Sequence, residues 1–236
     1  VAFRPDVLVL VDYPGFNLAV NFDGDFEQAR SLKLVLDSES GALEISGNAA
    51  WQQAPEWDLS VTLSNLDLAI LPLPQPLQGA LNTTLRSQGL WGNAPEAKVT
   101  IDTLNGNVLG EQLQASGTLN YTENTLTLSN VMLFGAEAEV KIVGTASREQ
   151  LALDATFESK NLSRLYADIA GSIKAAARIE GTLAAPTVAL KSQGEAVQWK
   201  TTEISNFNAE LHADQSFAQL PTGAISFDGL RINQSA

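Results

Sequence analysis

Cysteine is missing altogether from the 236 residues. Its absence removes thiol catalysis, cysteine-ligated metals and disulfides, and it suits an oxidising compartment. Long apolar runs are missing too. The longest aliphatic stretch is Val7–Val11, whereas a membrane-spanning helix needs about 20 such residues, so no bilayer span is expected. Positive charge is scarce: 14 Lys and Arg stand against 27 Asp and Glu, a net charge of −13. That balance disfavours a nucleic-acid backbone, which is bound through Lys and Arg, and broad adsorption to anionic headgroups. Any lipid would be held by its acyl chains. No methionine opens the chain and no signal peptide is visible, so it reads as part of something longer. Neither Gly-x-Gly-x-x-Gly nor a Walker-type loop occurs, and Gly106–Gly110 is rich in turn residues without forming a phosphate cradle.

What is present is alternation. Leu32, Leu34 and Leu36 interleave with Lys33 and Val35, and Leu43 and Ile45 with Glu44 and Ser46. Leu59, Val61 and Leu63 interleave with Ser60 and Thr62. Leu113 to Tyr121, Leu126 and Leu128, and Ile173 to Ile179 continue the pattern. Ala136, Ala138, Val140 and Ile142 are expected on one face and Glu137, Glu139 and Lys141 on the other. Leu151, Leu153, Ala155 and Phe157 oppose Asp154, Thr156 and Glu158. Period two means strands with one apolar and one polar face. Ser40-Gly41, Gly47-Asn48, Gly92-Asn93, Asn105-Gly106 and Glu123-Asn124 read as turns. Helical spacing is confined to Leu66–Leu71 and Leu162–Ile169.

The order repeats. Leu59, Leu63, Leu68 and Leu71 match Leu153, Phe157, Leu162 and Leu165 at one constant offset. Gly79, Leu81 and Gly89 likewise match Gly171, Ile173 and Gly181. The period is roughly 90 residues, with a proline-rich joint at Pro72, Pro74 and Pro76 in the first copy. We divide the chain into an N-terminal segment, 1–22, and an elongated β-repeat region, 23–236, with copies at about 57–150 and 151–236. About fifteen short strands with few helices to cover them leave three architectures: a sandwich, a closed barrel, or one long sheet that lines its own groove. With only 7% aromatics, the many alanines and modest aliphatics fit a lined cavity better than a dense core.

Residues 1–20 differ. Pro5-Asp6, the run Val7–Val11, Asp12 and Pro14-Gly15-Phe16-Asn17 resemble a short segment of lipid-A-disaccharide synthase, a glycosyltransferase with parallel sheets. The run suits a strand buried on both faces, with Asp12 at its carboxyl end, where α/β proteins bind ligands. Nothing after Asn21 continues that pattern.

Chemistry is sparse. His212 is the single histidine and reads as a surface residue beside Glu210 and Asp214. Glu137 and Glu139 read as a solvated face, and Trp51, Trp57, Trp91 and Trp199 are scattered. No catalytic residue, metal or cofactor is expected.

From about residue 32 to 236 the chain resembles the TamB family, the translocation and assembly module proteins, and the AsmA-like proteins that share their style. The features are the Leu-x-x-Leu joint before a glycine-opened strand and the step from glycine to proline (Gly89 to Pro95, Gly181 to Pro186). Gly117-Thr-Leu and Gly144-Thr-Ala fit the same style. The resemblance implies an all-β, mainly antiparallel sheet curled into an open, taco-like apolar groove. It implies a section of an inner-membrane-anchored protein in the periplasm of a Gram-negative bacterium, with phospholipid acyl chains and an outer-membrane partner of the TamA type. It implies a non-enzymatic role, holding or conducting phospholipid between the membranes and supporting outer-membrane assembly. Candidate groove residues are Leu126, Leu128, Val140, Ile142, Leu151, Leu153, Ala155, Phe157, Ile173 and Ile179. The competing readings are a chaperone-like module that pairs with outer-membrane strands by β-augmentation, and a glycosyltransferase fragment.

Overall fold

A computed structural model describes residues 6–13, 15–25, 27–51, 54–70, 78–108, 110–200, 202–214 and 222–232. The chain divides into two units, 1–124 and 125–236. The first holds β1 (Asp6–Tyr13), β2 (Phe16–Gly24), β3 (Gln28–Ser38), β4 (Gly41–Ala50), β5 (Glu56–Asp67), β6 (Gly79–Leu90), β7 (Glu96–Val108) and β8 (Glu111–Thr122). The second holds β9 (Thr125–Gly135), β10 (Ala138–Ala146), β11 (Leu151–Ser159), β12 (Ile169–Gly181), β13 (Pro186–Trp199), β14 (Thr202–Asp214) and β15 (Thr222–Ile232). The described helical residues are two 3-10 turns, Leu68–Ile70 and Leu162–Arg164. Both fall where the sequence shows local helical spacing.

Within each unit every strand pairs antiparallel with its sequence neighbours. Extensive strand contacts also run only between sequence neighbours. Each unit is therefore a meander of one layer, neither a sandwich nor a closed barrel among the described residues. The fold is all-β, as the alternation requires. Few side chains are fully buried. Ala29, Leu68, Leu151 and Ala209 are the described buried hydrophobics.

Register keeps one face apolar over long strands through β-bulges, which add a residue and restore the phase. On β5 the pairs Leu63↔Thr83 and Leu66↔Leu81 leave Ser64 and Asn65 opposite Asn82 alone, with Asn65 at φ 57°. The bulge lets Leu66 stay on the face of Leu63. Gly79, which opens β6, and Gly171, the third residue of β12, have a shared reason. Gly79 sits at φ +138° and Gly171 at φ +103°; a Cβ there would lie 1.9 Å from the Asn107 carbonyl oxygen and 2.5 Å from that of Ala196.

Three expectations need correction. Val7–Val11 does not belong to a parallel sheet. β1 pairs antiparallel with β2, Val9 opposite Val20, and Leu10 is 71% exposed, so the strand is not buried on both faces. Gly47-Asn48 and Asn105-Gly106 are not turns but lie inside β4 and β7. At Gly106 a Cβ would lie 2.5 Å from the Ala80 carbonyl oxygen, so the glycine marks a close backbone approach within the sheet. Ala136 and Glu137 do not lie on a strand. Both have left-handed backbones (φ 50° and 58°) and form the turn before β10. Glu123 and Asn124, at φ 50° and 63°, are the turn the sequence signals. The proline-rich joint falls outside the described residues.

Candidate functional site

The second unit carries a face built almost entirely from small and aliphatic side chains. Its rows follow from register, because residues directly opposite in antiparallel strands share a face. One row runs Leu126, Ala146, Leu151, Gly181, Pro186. The next runs Leu128, Gly144, Leu153, Ile179, Val188, Ala213. Then come Val131, Ile142, Ala155, Ala177, Leu190, Leu211, and Leu133, Val140, Phe157, Ala175, Ser192, Ala209. A last row joins Ala138, Ser159, Ile173, Gly194 and Phe207.

All ten candidate residues stand in these rows. Leu151 is buried and the other nine are half-buried, so the face is largely uncovered. The sequence reading passed over Val131, Leu133, Val188, Leu190, Phe207 and Leu211. Alternation was the signal for them, but a bulge at β9 leaves two residues opposite Val143 alone, with Asn130 at φ 51°. The apolar residues change parity there, from Leu126 and Leu128 to Val131 and Leu133.

The opposite face is polar and cross-linked. Its rows read Glu139, Glu158, Lys174, Gln193 and Lys141, Thr156, Ala176, Lys191, Glu210. Lys174 pairs with Glu158 at 3.2 Å, Lys191 with Glu210 at 3.0 Å, and Lys141 with Glu139. A depression of about 420 Å³ is lined by Glu139, Lys141, Glu158, Lys174, Lys191 and Gln193 of these rows, and Phe157 and Ala175 also border it. The Lys191 hydrogen bond holds the Glu210 carboxyl below its ordinary range. In the first unit the same design recurs: Arg86 Nε and Nη2 donate to Asp102 at 2.9 and 2.7 Å. That fork holds Asp102 below the usual carboxylate range.

His212 is exposed on the polar face, opposite Ala189 and Thr222. Glu139 faces Lys141, while Glu137 lies in a turn, so the two acids do not form the strand-face pair the alternation suggests. Asp12 pairs through its backbone with Asn17; its side chain lies outside the described residues. Trp57 Nε1 donates to Ser87 Oγ at 2.9 Å, and Trp51 stacks on Phe22 with centroids 6.2 Å apart. Among the described residues no group of three or more His, Asp or Glu side chains could hold a metal ion, and no helix is long and apolar enough to cross a membrane.

An open antiparallel sheet with one apolar and one ion-paired face, repeated along the chain, defines a repetitive β-scaffold. The model of the N-terminal domain of TamB matches residues 8–236, and the chain belongs to the TamB family. The match takes in most of the segment that resembles lipid-A-disaccharide synthase. A curated relative, the translocation and assembly module subunit TamB of Haemophilus influenzae, is 24% identical over 233 residues. The alignment covers 98% of this chain and 18% of that protein, so the chain spans about a fifth of its relative's length. No solved structure matches.

Proposed function

We infer that this chain is a periplasmic section of a translocation and assembly module and that its apolar face holds or conducts phospholipid acyl chains. In this reading it supports outer-membrane assembly with a partner of the TamA type, and it performs no chemistry of its own. The observation that carries the reading is the uncovered apolar face of β9–β14, continuous across the strands by register. Such a face gains roughly 0.8 kcal/mol for each methylene it removes from water. Its described rows are mostly Leu, Val, Ile and Ala, so a chain lying on it meets similar surface at each step and can slide. The ion-paired opposite face keeps the sheet wetted on its other side.

Photo-crosslinking tests this. A crosslinking residue at Leu153 or Phe157 captures phospholipid in cells, and the same residue at Asp154 or Thr156 does not, because successive side chains point to opposite faces. Equal capture on both faces would mean adsorption without a conduit.

A further inference from the structure

We propose that Gly194 is a positioning residue for the apolar face: by lacking a side chain it lets the Phe207 ring lie down along the sheet, and so keeps the path over β12–β14 open to an acyl chain. The proposal rests on the acyl-binding reading and names a residue that sets how freely the chain passes.

Gly194 sits inside β13, directly opposite Phe207 of β14. A glycine within a strand weakens it and often marks a close approach. At Gly79 and Gly171 the approach is to a carbonyl oxygen, and the backbone is left-handed. Gly194 differs on both counts. Its φ is not in the left-handed region. The three atoms nearest to a Cβ built there all belong to the Phe207 ring: Cε1 at 2.1 Å, Cδ1 at 2.7 Å and Cζ at 2.9 Å. The ring, before anything else, excludes a side chain. It lies over the Gly194 backbone, which is buried, and is itself half-buried.

Side chains on strands ordinarily stand roughly perpendicular to the sheet. An upright Phe207 would project from the apolar face beside Ala175, Ser192 and Ala209, the small residues of the neighbouring row. An acyl chain crossing these strands would meet a post in a shallow stretch. Reclined, the same ring adds apolar surface without height. A Cβ at Gly194 reverses this. Carbon atoms rest about 3.5 Å apart or more, so the ring must move off by more than ~1 Å. The sheet lies beneath it, and the open direction is outward.

The first unit repeats the device. Trp57 is directly opposite Gly89, where a Cβ would lie 2.4 and 2.5 Å from Trp57 Cζ2 and Cη2. The hydrogen bond from Trp57 Nε1 to Ser87 Oγ holds that ring across β6. The Glu96 carbonyl oxygen also crowds Gly89, at 2.6 Å, so Gly194 is the cleaner position to test.

A glycine covered by a ring from the next strand also steadies a sheet, so the test reads something that stability alone would not move. Photo-crosslinking residues are placed singly at Ala175, in the row beside Phe207, and at Leu153, three rows from it, in cells making the full protein. Gly194→Ala lowers phospholipid capture at Ala175 about 4- to 15-fold, the loss of one or two buried methylenes, and leaves capture at Leu153 largely unchanged. Adding Phe207→Ala to Gly194→Ala restores capture at Ala175. A second arm needs no variant. In the purified chain with labelled glycine, nuclear magnetic resonance finds the Gly194 α-protons shifted upfield by the ring above them, both lipid-free and after loading with phosphatidylethanolamine. Equal loss at Ala175 and Leu153, no loss at either, or a double variant that stays impaired overturns the positioning role and leaves the acyl-binding reading intact. So does an upfield shift that vanishes on loading, or a parent that captures lipid at Leu153 and none at Ala175. A parent that captures none at either position overturns both.

Discussion

At the scale of single residues, the two repeats impose the same backbone demand at Gly79 and Gly171. Each combines a left-handed φ with a neighbouring carbonyl oxygen where a Cβ would stand. Gly79→Ala and Gly171→Ala should each lower stability by about 1–3 kcal/mol, the range for a strained backbone position. Gly92→Ala, where a Cβ meets only Ala54 Cβ at 3.3 Å, should shift it by less than about 0.5 kcal/mol. Denaturant melts separate these outcomes. A neutral Gly79→Ala would show that the backbone there relaxes freely. Arg86 and Asp102 make a second prediction. Hydrogen bonding from Arg86 depresses the folded-state pKa of Asp102, so the pair's stabilisation is present above the unfolded carboxylate pKa. It is lost as pH falls through the depressed folded value. A double-mutant cycle with Arg86→Ala and Asp102→Ala should give favourable coupling at neutral pH and none in strong acid. Coupling that survives acid would contradict the ionic origin.

Strands and their joints were legible to different degrees. Alternation located β3 to β5 and β8 to β12 because an open antiparallel sheet forces one face apolar and the other polar. It also located all ten candidate face residues, since facing follows from parity wherever no bulge intervenes. Bulges and in-strand glycines were not legible. Asn130 changes the parity of β9 without any composition cue, and Gly106 looks like a turn because close backbone approach and chain reversal both select glycine. The Ala136–Glu137 turn carries neither Asn nor Gly, the usual residues for positive φ, so it read as strand. The expected boundary between 22 and 23 falls within β2. The meander allows a test: each strand is held only by its neighbours, so a chain beginning at Asp23 should keep a β-type circular dichroism spectrum and a cooperative melt. Loss of all structure on that deletion would mean that the N-terminal hairpin nucleates the rest.

On the molecular scale, an open face separates stability from function. Phe157 is half-buried on that face, and its side chain has solvent to turn toward. Phe157→Arg should therefore leave the circular dichroism spectrum intact while impairing outer-membrane integrity, read as detergent sensitivity of cells. A charge in an acyl path carries a desolvation cost of several kcal/mol. Unfolding of the variant would instead mean that Phe157 belongs to a closed core. The neighbour-only pairing of strands has a last consequence, for descent. Inserting or deleting one hairpin alters the number of rungs while leaving the pairing of those farther away as it was. Span can thus drift by small steps and be matched to whatever gap a cell presents, as a ladder is cut to a wall.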